Sequence, residues 1–316
     1  MIDNYLYHYT TTDAFNVMLN QMKEKKSTDL TFWASNVHYM NDPHEMEFLY
    51  DELCNILPEV EKELGISENP FSAFDFSKVS QEFGLDLEKD IKDNIFHGIF
   101  KSVYAISFSK REDYLPMWSL YGNNGGGLCL KFDYNKLKDY LDKNKKDDFT
   151  KEIVEIKYNL KDNWIWNLIK QYYQEYHMTI DSSNQGKDPF QLRRVFISRV
   201  LLEISKMMKH HSYSYEEEVR LVDHIILLDK LDDRLQNIKT KPLDNSFKKP
   251  TEPKVRVKNG LLIPYKEIKI PVSFLISVIV GPTINSRLQC EAMELLLKRA
   301  ELEIKVIPSS IPFRQL

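Results

Sequence analysis

The sequence predicts an α+β protein: one sheet-based core, broken by two helical insertions and closed by a β–α–β unit. Three observations lead there. Short runs of strand-forming residues recur along the chain. Two long stretches with helical composition, at about 51–98 and 134–212, separate those runs. The last 43 residues, from Phe274, read strand, helix, strand, and such a unit packs onto the same sheet. The chain has 316 residues, 42% hydrophobic and 28% charged, enough to bury a sizeable core as one domain spanning 1–316.

The elements follow in order. YLYHYT (5–10) reads as an aromatic strand. Thr11 or Thr12 then caps a helix, TDAFNVMLNQMKE, whose Phe15, Met18, Leu19 and Met22 share one face. LTFWAS (30–35) is the next strand, and the loop NVHYMNDPHE follows it, with Pro43 suited to a turn. SVYAISFS (102–109) has strand composition, LPMWSLYG forms a short helical turn, NNGGG bends, and GLCLKFD (127–133) returns as a strand. YSYEEEVRLVDHIIL (213–227) reads as a strand, and the polar, lysine-rich stretch 229–259 as an exposed excursion. LLIPYKEIKI, FLISVIVGP, the helix SRLQCEAMELLLKRAE and the strand EIKVIP end the chain.

Composition narrows the function classes. Lysine and arginine total 43 against 47 acids, a formal charge of -4, so no dominant polyelectrolyte interaction is implied, although a local basic groove could still hold nucleic acid. The three cysteines, Cys54, Cys129 and Cys290, lie far apart without a CxxC, which fits a reducing cytoplasm and argues against structural zinc. The start, MIDNYLYHYT, lacks the features of a signal peptide. No apolar run is long enough to cross a bilayer. Ten glycines form neither GxGxxG nor a Walker loop.

Five segments join strand-forming residues to polar groups that a buried strand normally avoids: YHYT (7–10), FWASNVHYMNDPHE (32–45), SFS (107–109), MWSLYG (117–122) and YSYEEEVRL (213–221). In a strand, Glu216, Glu218 and Arg220 share one face. Neighbouring carboxylates repel unless a cation relieves them, and Arg220, or a positive charge developing on a substrate, would do so. A solvated edge strand is the structural alternative. His8, between two tyrosines, is either a core histidine or a ligand-binding one. Trp118 and Tyr121 are neighbours at i, i+3, forming core or a platform for a flat ligand.

In this order the segments resemble the ADP-ribosyltransferase superfamily, in its histidine–tyrosine–glutamate pattern, with an echo of the serine and Glu-x-Glu strands of the arginine–serine–glutamate branch. At closer range, HYT, NDPxE, SFS, WxxYG and YExExR look like a widespread bacterial family long classed as of unknown function, whose members are often found with phage-defence or abortive-infection genes. The resemblance implies a split β-sheet core and NAD as donor, with no metal. His8, Tyr9 and Thr10 would bind the adenosine ribose side of NAD, and Ser107 and Ser109 would support the nicotinamide pocket. Tyr121 and Trp118 would stack on nicotinamide. Glu218 would be the catalytic glutamate holding the nicotinamide ribose, and Glu216 would orient the acceptor or take its proton. A carboxylate below an oxocarbenium-like ribose counts most at the transition state. Asn41, Asp42, Glu45 and Arg220 have no counterpart in the general pattern and would read the acceptor or close the pocket.

The resemblance therefore implies an ADP-ribosyltransferase toxin or anti-phage effector in the cytoplasm, acting on a protein or nucleic-acid acceptor, RNA included, and restrained by an antitoxin partner. NAD glycohydrolysis needs no different residues. A metal-dependent nuclease using His8, Asp42, Glu45, Glu216 and Glu218 is a separate expectation. So is a non-catalytic module that contacts RNA or protein through 164–176 and 239–258.

Overall fold

The computed structural model describes residues 4–40, 103–144, 151–158, 164–171, 206–224, 252–258 and 260–312, with a few single positions between them. The expected insertion at 51–98 and the loop residues Asn41, Asp42 and Glu45 lie essentially outside this set, and so does Cys54.

Ten strands form one mostly antiparallel sheet. β1 (Tyr5–Thr10) leads into α1 (Thr12–Glu24). Thr11 is its N-cap, its hydroxyl accepting from the Ala14 amide at 3.1 Å, which satisfies one of the orphan donors of the first turn. α1 buries Phe15, Met18, Leu19 and Met22, the face that the helical spacing predicts. β2 (Asp29–Asn36), β3 (Val103–Ser109), the short α2 (Leu115–Leu120) and β4 (Leu128–Asp133) follow. Next come α3 (Tyr134–Asn144), β5 (Lys151–Glu155) and β6 (Glu218–His224). β7 (Lys254–Lys258), β8 (Leu261–Pro271), β9 (Leu275–Val280), α4 (Ser286–Arg299) and β10 (Lys305–Pro308) complete the order. β10 runs parallel to β9, so the closing β–α–β unit forms as expected.

Two expectations change. The stretch 134–212 is not wholly helical, because KEIVE forms β5 and pairs with β6. The excursion at 229–259 ends in strand β7, which pairs with β8. Both strands are five residues long and rich in charge, so their pairing comes from the neighbour's edge rather than from their own composition.

The sheet forks at β3. One edge of β3 pairs with β6 from Val103↔His224 to Ser109↔Glu218. The other edge serves two strands, β2 at Ala105↔Ser35 and Tyr104↔Asn36, and β1 at Ser109↔Tyr7. β1 continues into β4, β9 and β10, and β2 into β8 and β7. Between these two attachments the Ser107 carbonyl lacks a strand partner on that edge, and the His8 ring nitrogen Nδ1 lies 2.9 Å from it. A buried carbonyl without a partner would be costly, so His8 replaces the ladder bond at the fork.

One face of the sheet carries the main core: Leu6, Leu30, Phe32, Ile106, Phe108, Leu130, Phe132, Val219, Leu221 and Val278 pack with α1, α3 and α4. On the opposite face Tyr7, Tyr9, Met117, Trp118, Cys129 and Ile279 form a second cluster. α2 is pinned there by three close backbone approaches. A Cβ on Gly122 would stand 2.5 Å from the Trp118 ring, one on Gly127 2.4 Å from the Thr10 carbonyl, and one on Gly281 2.3 Å from the Gly125 carbonyl.

Candidate functional site: a buried charge centre beside the fork

The chain before β6 does not form the strand expected over 213–227. His211–Glu216 is a 3₁₀ turn, Glu217 takes a left-handed conformation at φ 42°, and the strand starts at Glu218. A non-glycine residue there costs of order 1 kcal/mol or more. The kink does what strand alternation was expected to do: it aims Glu216 and Glu218 at a common point.

That point is the Lys209 ammonium. Lys209 Nζ donates to Glu216 Oε2 at 2.7 Å and to Glu218 Oε2 at 3.2 Å. Arg220 Nε donates to Glu218 Oε1 at 3.0 Å and Nη2 to Oε2 at 3.3 Å, the pairing expected from the sequence if Arg220 is structural. Ser107 Oγ donates to Glu218 Oε1 at 2.5 Å, and the Glu218 amide donates to the Tyr158 hydroxyl at 2.7 Å. Tyr121 OH donates to Glu216 Oε1 at 2.6 Å. Ser109 Oγ donates to the Glu216 carbonyl at 2.6 Å and accepts from the Arg111 amide at 3.0 Å. Glu216, Glu218, Lys209 and Arg220 are all at most 3% exposed.

Two buried carboxylates and two buried cations therefore balance within one hydrogen-bonded network, as buried charge requires. Burial alone would raise the pKa of Glu218. The charges of Arg220 and Lys209, with hydrogen bonds from Arg220 and Ser107, outweigh it and hold the pKa at about 2. Burial opposes the charge on Lys209, yet the carboxylates, Glu218 first, raise its pKa. Glu218 is thus ionised throughout the physiological range: a fixed negative charge and hydrogen-bond acceptor, not a proton donor.

The other residues singled out from the sequence divide. Tyr121 is half-buried and joins the centre through Glu216. Trp118 does not form an open platform with it. It is fully buried, edge-on to Tyr9 at 5.0 Å, and its Nε1 donates to Asp113 at 2.8 Å. Asp113 also accepts from Ser309 and Ser310, tying the segment after β10 to the one that leads into α2. The Tyr9 hydroxyl donates to the Arg111 carbonyl at 2.9 Å, and Thr10 is buried beside Gly127. His8 belongs to the other face: its ring lies 5.2 Å from Phe32 and 5.6 Å from Phe108, and burial lowers its pKa. Ser107 touches both sides, with its carbonyl on His8 and its hydroxyl on Glu218.

Sequence reasoning missed Lys209, Tyr158 and Asp113. Lys209 sits in the run KMMKHH, inside a stretch read as helical insertion. Its position is set by backbone bonds to Lys157, whose amide donates to Met207 and whose carbonyl accepts from Lys209. Among the described residues no three His, Cys, Asp or Glu side chains gather to hold a metal. Glu216 and Glu218, two of the ligands expected for a nuclease, have their oxygens engaged by Lys209, Arg220, Ser107 and Tyr121. Among the described residues no helix is long and apolar enough to cross a membrane.

A family described as a protein of unknown function (DUF2971) matches residues 117–221. The match begins in α2 and ends in β6, and so includes Trp118, Tyr121, Lys209, Glu216, Glu218 and Arg220. No curated protein and no solved structure matches the chain.

Proposed function

We propose that the protein is an ADP-ribosyltransferase that uses NAD as donor, with Glu218 as the carboxylate facing the reacting ribose. One observation carries the reading: a fully buried glutamate is kept ionised at a fork in the sheet, supported by the Ser107 hydroxyl and flanked by a second glutamate that binds a tyrosine. Loss of nicotinamide from NAD builds positive charge on the ribose, and a permanent anion already in place stabilises that charge without reorganising. A carboxylate with a pKa of about 2 is too weak a base to lead a proton transfer, so its role is electrostatic.

The donor's charge also fits the centre's balance. NAD carries a cationic nicotinamide ring, and Lys209 holds the position of a cation between Glu216 and Glu218. In this reading Lys209 withdraws as the ring enters, and Tyr121 packs on it. The dinucleotide then lies on the Glu218 face, while His8, packed on the far face against Phe32 and Phe108 and bonded to the Ser107 carbonyl, braces the fork from behind. Glu216, no longer bound to Lys209, orients the acceptor. The family resemblance adds a toxin or anti-phage role, with a neutralising partner, to the same reading.

The deciding experiment incubates the protein with adenine-labelled NAD and cell lysate, with and without a chelator. Transfer of label to protein or nucleic acid, insensitive to the chelator and absent from Glu218→Gln, is the expected result. Nicotinamide release without transfer would mark a glycohydrolase. A chain that binds and consumes no NAD sinks both.

A further inference from the structure

A second cluster of unusual chemistry lies on β7 and its neighbours. Arg256 is the central residue of β7, and its guanidinium carbon stands 5.5 Å from the centre of the Trp33 ring and 5.9 Å from that of Tyr265. The two rings are 5.1 Å apart and tilted by 39°. Arg256 Nη2 donates to Ser35 Oγ at 2.7 Å. Yet Arg256 Nε and Trp33 Nε1 are both shielded from solvent and meet no acceptor among the described residues. Leaving buried donors unmet costs roughly 1–3 kcal/mol each, and two of them in one cluster give an incoming acceptor something to gain.

The charge is equally unanswered. Lys254 pairs with Glu267 at 2.8 Å, but among the described residues no carboxylate meets Arg256 or Lys258. Burial and the neighbouring Arg256 charge lower the pKa of Lys258. Two cations two residues apart on β7, one of them against aromatic rings, suit a ligand that is anionic and carries flat groups. An acidic peptide supplies the charge but has no use for the rings or the guanidinium plane. Nucleic acid supplies both, because bases stack on aromatic and guanidinium faces while phosphates meet the cations.

The pairing register puts this cluster on the Glu218 side of the sheet. Lys254 is opposite Tyr265, Tyr265 opposite Ser35, and Ser35 opposite Ala105, which alternation places on the same face of β3 as Ser107. Three strand spacings, roughly 15 Å, separate β7 from β3, a gap that a short single strand bridges. We propose that Trp33, Arg256 and Lys258, backed by the buried Tyr265, form a platform for single-stranded nucleic acid, which holds it as the acceptor beside Glu218. The acceptor assignment rests on the transferase reading; the binding itself does not.

The test uses the full chain, a fluorescent single-stranded RNA and DNA of about a dozen nucleotides, a double-stranded control and a polyglutamate peptide, read by anisotropy without NAD. Single strands should bind and weaken as salt rises. Arg256→Ala should weaken binding about tenfold or more. Arg256→Lys, which keeps the charge but not the plane, should lose most of that affinity as well. Arg287→Ala, which removes a charge on distant α4, should leave it unchanged. No binding, or equal binding by wild type and Arg256→Ala, overturns the platform. Peptide binding that depends equally on Arg256 overturns it in favour of an acidic protein. If the chain binds the strand and consumes NAD but does not label the strand, the acceptor assignment fails alone. If it binds the strand but never consumes NAD, the transferase reading fails and the platform stands.

Discussion

Lys209 donates to Glu218 at 3.2 Å with both groups buried. Removing the Glu218 charge therefore does more than disable a reaction: it leaves Lys209 and Arg220 facing one remaining carboxylate. Glu218→Gln should lower unfolding free energy by about 3–5 kcal/mol. Adding Lys209→Met, which removes the surplus cation, should recover a substantial part of that loss in a double-mutant cycle. Additive losses in urea denaturation would show that the two residues do not share one charge balance.

The two glutamates should separate in kinetics. At a temperature where the variants remain folded, Glu218→Gln should reduce both ADP-ribose transfer and NAD hydrolysis by on the order of 10²-fold or more, as for loss of other electrostatic stabilisers. Glu216→Gln should damage transfer more than hydrolysis, because water needs little orientation. Equal losses of both activities in the Glu216 variant would contradict the division.

Acid should destabilise the protein in two overlapping windows. His224 is buried, and burial followed by the Lys206 charge lowers its pKa from 6.5 to about 4. The unfolded chain therefore binds the extra proton first, and stability falls as pH drops from about 6.5 to about 4. His8, also lowered by burial, acts with the same sign below 6.5. The contribution of Glu218 is complete above about 4.5 and is lost as pH falls toward 2. Urea unfolding from about pH 7 to about pH 4 should show His224→Phe flattening the first window by on the order of 3 kcal/mol. A slope parallel to wild type would remove His224 from the account.

Packing around α2 gives a test independent of function. Gly281→Ala drives a methyl to 2.3 Å from the Gly125 carbonyl, whereas Gly126→Ala meets its nearest atom at 3.3 Å. Gly281→Ala should cost about 1–3 kcal/mol or more, as overpacking does, and Gly126→Ala clearly less. Thermal melts that rank the two in reverse would mean that the bend has room the geometry denies.

Much of the frame was legible because it depends on local patterning. Strand-forming composition marked β1, β2, β3 and β4, a cap at Thr11 or Thr12 marked α1, and the apolar run of β9 announced the closing β–α–β unit. The site was legible in part. Glu216, Glu218, Arg220, Ser107, Ser109 and Tyr121 do converge, but Lys209 and Tyr158 join them only through pairing between segments about fifty residues apart (from Lys157 to Met208). No local pattern encodes such a contact. Trp118 shows where local spacing stops deciding. Its spacing from Tyr121 left core and platform both open, and its burial depends on Asp113, Gly122 and Gly281, none of which a helical period reveals.

The two-sided role of β3 also sets a timetable for the nascent chain. Ser107 and Glu218 are 111 residues apart in sequence, so during synthesis β3 waits for its long partner β6 while every intervening codon is read. At roughly 5–20 residues per second this is a delay of about 5–20 s, with one strand edge open to wrong partners. The serines at Ser107 and Ser109 make that waiting edge poorly suited to apolar association on one face. A ribosome-stalled chain halted just short of Glu218 should be cut readily by protease near Val103–Ser109, and one that has exposed His224 should resist. Protection arriving already in the shorter chain would mean that another segment holds the place of β6 until it emerges.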